Sequence, residues 1–116
     1  MIKNISKKKN IIASHKIADN VFSRAKGLMF SKEKNFDYGL IFDLERETKV
    51  GASIHMFFVF FPINVLFLDS NKKIIEVKFG LKPWQMTRPM KKCRYIIELP
   101  IKYGKKFYSI GDRLNW

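Results

Sequence analysis

Few side chains in this sequence could carry chemistry. His15 and His55 are its only imidazoles, Cys93 is its only thiol, and Arg24, Asp69 and Asp112 are the charged groups that a hydrolytic site would draw on. In such a site His55 would act as base, Asp69 or Asp112 would orient it, and Arg24 would stabilise an anion. No nucleophile elbow, phosphate loop or paired-histidine metal signature accompanies them, so no catalytic residue is assigned. A histidine within an apolar strand, as His55 reads, is ordinarily a hydrogen-bonded core residue. No metal site is assigned either. One cysteine permits neither an intrachain disulfide nor a cysteine-based zinc site and suits a reducing compartment. Asp43, Glu45 and Glu47 alternate and would share one face of an extended segment, but hard cations also want backbone or amide oxygens from a tight loop. Asp69-Ser70-Asn71-Lys72 lacks the glycine and closing glutamate of a calcium loop.

Binding is better supported than catalysis. Arg24, His55 and Trp84 are the candidate ligand-binding residues: a guanidinium at a helix border, an imidazole near a strand end and an indole in an irregular loop. A second candidate is single-stranded nucleic acid. Trp84 lies among Lys82, Arg88, Lys91 and Lys92, where an aromatic could stack a base and cations could follow phosphates. The whole chain has 23 lysines and arginines against 10 acidic residues, a net charge of +13 that attracts polyanions. Much of that charge is spread, as in Lys7-Lys8-Lys9 and Lys72-Lys73, and spread charge mainly confers solubility. Cofactor, small ligand and oligomeric state are not specified by these residues.

The elements that must position these groups centre on Ala52 to Asp69, rich in Phe, Val and Ile. Such side chains fit a pleated, buried surface better than a helix. Two strands are expected here, one over Met56 to Phe61 with both faces apolar and one from Ile63, with Pro62 at the break and Asn64 as a single amide in a buried surface. The stretch is too short and too interrupted to span a membrane as a helix. Before it, Met1 to Asn10 reads as a fraying or edge segment, Ile11 to Ile17 as a strand, and Asp19 or Asn20 as the cap of a short helix. That helix carries Val21, Phe22, Ala25, Leu28 and Met29 on one stripe and closes at Gly27 through a left-handed residue. Gly39 to Leu44, Ile74 to Phe79, Tyr95 to Leu99 and Arg113 to Trp116 read as further strands, with Gly80 to Met90 an irregular loop whose indole plugs one end of the core. A chain of 116 residues makes a single domain, here 1–116, able to bury a core without disulfides. The basic, polar start carries no apolar leader, so a cytoplasmic location is expected. The fold class is mainly β, a compact β-sandwich or barrel-like domain with one short helix.

Three blocks add a family likeness: Ser23-Arg24-x-x-Gly27-Leu28-Met29-Phe30, then Met56 to Asp69 with Pro62 six residues after Met56, and Tyr95-Ile96-Ile97-Glu98-Leu99 followed by Gly111-Asp112. The chain resembles the DUF192 family. That resemblance implies a compact β-sandwich-like domain with one helix and implies no reaction. The family pattern falls on Arg24, Gly27, Met29, Met56, Pro62, Asp69, Gly111 and Asp112. His55 stands where the family commonly has an aromatic, Phe58 and Val59 where polar residues are usual, and Asn64 where an aspartate is usual. An amide does not titrate, so any acid–base or ligand role of that aspartate is absent here.

Overall fold

The computed structural model of the chain describes residues 1–18 and 27–116. Ten strands are described: β1 Ile2–Asn4, β2 Lys9–Ile12, β3 His15–Ala18, β4 Gly39–Thr48, β5 Ile54–His55, β6 Ile63–Leu68, β7 Ile74–Leu81, β8 Met86–Thr87, β9 Cys93–Pro100 and β10 Leu114–Asn115. The main sheet has five strands in the order β3-β4-β9-β6-β7, and β3 alone runs parallel to its neighbour. A three-stranded sheet, β10-β1-β2, lies apart from it, and β5 and β8 make a two-stranded ribbon. Among the described residues the sheets do not close into a barrel, and no helix is long and apolar enough to cross a membrane. The mainly β reading therefore holds, with the layered rather than the closed arrangement; the short helix expected after Asp19 lies outside the described residues.

Strand alternation divides the core into two layers. Leu40, Phe42, Ile63, Val65, Phe67 and Ile96 face one side of the main sheet, where loop residues Leu28, Phe36, Met56, Val59 and Phe61 cover them. Ile41, Leu66, Leu68, Ile97 and Leu99 face the other side, under Ile2, Ile11, Ile12 and Leu114 of the small sheet. Every residue of β6 is buried, as expected of a strand covered on both faces. Gly39 shows how closely the two sheets approach. A Cβ at this position would lie 2.4 Å from Ile2 Cδ1 and 3.3 Å from Leu99 Cδ2, so the small sheet rests on the bare backbone of β4.

Three local readings change. Ile11 to Ile17 is not one strand: the chain breaks at Ala13-Ser14, sending β2 to the small sheet and β3 to the main one. Met1 to Asn10 does not fray at its start; β1 is the middle strand of the small sheet because Ile2 and Asn4 both point inward. Asn4 is held there by bonds from its amide to Phe107 O and Asp112 Oδ2. The same small sheet is flanked by Phe107 to Ile110, a stretch of turn and coil that buries Tyr108, whose hydroxyl donates to Tyr103 O at 2.6 Å. Met56 to Phe61 is not a strand either, and this change exposes the site described next.

Candidate functional site

The ribbon of β5 and β8 pairs Ile54 with Thr87 and His55 with Met86. Beyond His55 the chain turns instead of extending. Met56, Val59 and Phe61 point into the core at irregular spacing, which no pleated strand can provide, and the aromatics between them are forced outward. Phe57 is 37% exposed, Phe58 42% and Phe60 59%; Trp84 is 54% exposed and Phe30 67%. Their rings form one group. Phe30 stacks on Phe58 at 5.0 Å; Phe58, Phe57 and Phe60 lie 5.2, 6.1 and 6.5 Å from Trp84; His55 lies 5.0 Å from Phe57.

Backbone bonds lace the three loops that carry these rings. Phe30 N donates to Phe58 O at 2.8 Å, Trp84 N to Met56 O at 2.9 Å, and Met56 N to Gln85 O at 2.7 Å. The Gln85 side-chain oxygen in turn accepts from Lys82 N at 2.8 Å. Phe30, Phe58 and Trp84 have φ of 63°, 61° and 67°. Bulky side chains avoid this left-handed region at a cost of about 1–2 kcal/mol each. Strain of this kind persists where surrounding structure enforces it and gathers at binding sites. Three such residues meeting in one exposed ring cluster mark this face as built rather than incidental.

Cations predominate in the segments that carry the rings, although Glu76 reaches them: its Oε1 accepts from Met90 N at 2.7 Å and its Oε2 lies 3.2 Å from Lys78 Nζ. The segments 49–68 and 77–92, which contain most of the face, have Lys49, Lys78, Lys82, Arg88, Lys91 and Lys92 and no Asp or Glu. Lys82, Arg88, Lys91 and Lys92 are all exposed. Lys82 lies in the Trp84 loop, Arg88 one residue beyond β8, and Lys91 and Lys92 lead into β9.

Of the residues singled out from the sequence, His55 and Trp84 share this face, joined through Phe57. Neither is a core residue. His55 is exposed, its Nδ1 accepting from Phe57 N at 3.3 Å, because the ribbon that holds it stands outside the main sheet. Trp84, expected to plug one end of the core, lies instead against the exposed rings of Phe57, Phe58 and Phe60. Arg24 lies outside the described residues. The hydrolytic grouping is not assembled: His55 is near the start of β6, whereas Asp69 and Asp112 meet at the β6–β7 turn, a strand of six residues away, or about 20 Å at 3.3 Å per residue. There Asp69 Oδ1 accepts from Asn71 N and Lys73 N, and Asp112 Oδ2 accepts from Asn4, Lys7 and Ser109 N. Both carboxylates build turns.

The remaining titratable groups have structural settings. Asp43 pairs with Arg94 through Nε at 2.7 Å and Nη2 at 3.2 Å, and Glu47 Oε2 accepts from Ser70 N. Among the described residues no group of three or more His, Cys, Asp and Glu side chains could hold a metal ion. Cys93 is buried, and that burial, with the nearby charges of Glu76 and Glu47, pushes its thiol up to about 12, so thiolate chemistry is suppressed. Glu98 differs from all of these. It sits in β9 between Leu40 and Val65, 6% exposed, and burial pushes its carboxyl up to about 8. No hydrogen bond to it is made by any described residue.

Sequence reasoning missed Phe57, Phe58, Phe60 and Phe30. The available signal was the spacing of Met56, Val59 and Phe61 ahead of Pro62, which fits a turn that buries three side chains better than a strand that buries six.

Two packed sheets, a satellite ribbon and an exposed aromatic face define a small, layered β-protein. Comparison with known proteins places it further. The family model DUF192, described as uncharacterized ACR, matches residues 2–116, and the chain belongs to this family, also called UPF0127. A UPF0127 protein of Pyrococcus horikoshii is 42% identical over 117 residues, covering 100% of this chain and 98% of that protein. One from Thermococcus sibiricus is 40% identical, covering 100% and 74%. Among solved structures, a Sinorhizobium meliloti protein provisionally described as a transcription regulator superposes with a TM-score of 0.84 at 23% identity, over 98% of this chain and 88% of that one. A Novosphingobium aromaticivorans protein of unknown function gives 0.83 at 18% identity, over 99% and 81%. These two likenesses establish the fold.

Proposed function

We propose that the protein is a binding module whose aromatic face around Trp84 holds single-stranded nucleic acid. The observation that carries this reading is the exposed cluster of Phe30, Phe57, Phe58, Phe60 and Trp84, on segments whose sequence, 49–68 and 77–92, holds six cations and no acidic residue. Flat rings accept any base by stacking, and surrounding cations follow the backbone without reading sequence. The rings are held in place by strained, hydrogen-bonded loops, so little ordering remains to be done on binding.

Tryptophan fluorescence during titration with an oligothymidylate strand tests this. Quenching is expected at low salt and should weaken steeply as salt rises, with a slope of about −0.7 per phosphate neutralised. Trp116 serves as internal reference, since its ring lies against Tyr95 with Lys72 Nζ 4.1 Å from its centroid. In an anisotropy titration of a labelled strand, Trp84→Ala should weaken affinity roughly tenfold, the scale of one lost base stack, and joint replacement of Lys82, Arg88, Lys91 and Lys92 by glutamine should flatten the salt dependence. No quenching at low salt, or unchanged binding by the four-cation variant, would overturn the proposal. Binding to anionic vesicles but not to the strand would assign the face to a lipid surface.

A further inference from the structure

A cavity of about 680 Å³ adjoins the aromatic face, lined among others by Lys16, Phe30, Ser31, Lys32, Asn35 and Tyr38. Its size is that of a small-ligand site. Its described lining contains two cations, a hydroxyl, an amide and a phenol, and no carboxylate. Lys16 is positioned rather than loose: its Nζ lies 4.2 Å from the centroid of the Tyr38 ring. Tyr38 stays a phenol and thus a donor, because burial, with the charges of Glu98 and Asp37, raises its pKa. The link to the neighbouring face is Phe30, which lines the cavity and stacks on Phe58, itself 5.2 Å from Trp84.

We infer that this cavity takes the terminal phosphate monoester of a nucleic-acid strand whose first bases lie on the rings of Phe30, Phe58 and Trp84. The inference rests on the nucleic-acid reading of that face and adds an end preference to it. A phosphate monoester carries a charge of about −1.5 to −2 near neutrality and offers three strong acceptor oxygens. Lys16 and Lys32 match that charge, and Ser31, Asn35 and Tyr38 match the acceptors. An internal phosphodiester carries one charge and has chain on both sides, so a concave pocket at the end of a ring path suits a terminus better than a strand passing through.

The test compares oligothymidylate strands bearing a 5′-phosphate, a 3′-phosphate or neither, read by Trp84 quenching at low salt with wild-type protein and with Lys16→Gln/Lys32→Gln. One phosphorylated end should bind roughly tenfold tighter than the unphosphorylated strand, the effect of about one charge-assisted hydrogen bond. The double variant should lose that preference while still binding the unphosphorylated strand. Thymidine monophosphate should compete for the phosphorylated strand in the wild type and not in the variant, which separates a cavity that reads the phosphate from a ring face that reads only bases. Equal affinity for all three strands, or a preference that survives in the variant, overturns the cavity assignment and leaves the face intact. Failure of all three strands to bind overturns both.

Discussion

Glu98→Gln is expected to unfold at higher denaturant than the parent protein at pH 8.5 and at a similar concentration near pH 4. The group responsible is a carboxyl 6% exposed between Leu40 and Val65, which burial pushes up to about 8 from its ordinary 4.5. Its sign is set by proton uptake. Below 4.5 both folded and unfolded chains hold the proton and nothing is lost. Between 4.5 and about 8 the unfolded chain releases the proton while the folded chain keeps it, so stability falls as pH rises, at ~1.4 kcal/mol per pH unit. Above about 8 both are ionised and the whole penalty, on the order of 4–5 kcal/mol, remains. Glutamine keeps the shape and removes the titration, so the difference between the two proteins should open across this window. Asp112 acts in the opposite direction and elsewhere on the scale. Burial opposes its ionisation, but hydrogen bonds from Lys7, Asn4 and Ser109 outweigh burial and hold it below the usual value. Its contribution is therefore present above the unfolded value of about 3.8 and lost as pH falls. Parallel pH profiles for wild type and Glu98→Gln would show that Glu98 does not titrate in this window.

Asn64→Leu should cost roughly 2–4 kcal/mol, the scale of two backbone groups, Ile101 O and Gly80 N, that lose their partner while Tyr103 O keeps the Tyr108 hydroxyl. Asn64 is 3% exposed in the middle of β6. Its Nδ2 donates to Ile101 O and Tyr103 O, both at 3.2 Å, and its Oδ1 accepts from Gly80 N at 2.9 Å. One side chain thus fixes the turn after β9 and the end of β7. Leucine is close in size, so the loss would report on hydrogen bonds rather than on a cavity. Asn64→Asp should also destabilise near neutral pH, because a carboxylate cannot donate and would face two carbonyl oxygens. Urea unfolding with an unchanged slope and a lowered midpoint is the expected readout. A loss below about 1 kcal/mol for Asn64→Leu would mean that Ile101 O and Gly80 N find other partners. The position needs donors, which an aspartate could not supply.

Much of the fold was legible where pattern and length sufficed. Ile63 to Leu68, Ile74 to Phe79 and Tyr95 to Leu99 were read as strands, and each falls within a described strand. Gly27 was read as left-handed and has φ of 49°. What remained hidden was pairing across long distances. Asn4 looks like part of a polar start because its partners, Leu114 in the ladder and Phe107 through its amide, are more than a hundred residues away. His55 looked interior because Ile54 and Met56 flank it, yet the ribbon with Met86 stands outside the main sheet. Phe57, Phe58 and Phe60 were taken as core because aromatic, β-prone residues usually are, and nothing local states that Val59 and Phe61 fill the space. Trp84 and the cations of its loop were legible as a candidate; the other rings beside them were not.

The seating of β1 between β2 and β10 has a cost in chain entropy. Lys3 pairs with Asn115, so closing the small sheet draws together points separated by almost the whole chain, while β6 and β7 join across a short turn. Loop-closure entropy rises with the logarithm of the span, and the long closure is recovered only through the few contacts β10 makes. The main sheet can form most of its pairings before that closure, but Ile41, Leu66, Ile97 and Leu99 stay uncovered until the two ends meet. The small sheet is thus a late-closing clasp over a face that would otherwise be open to other chains.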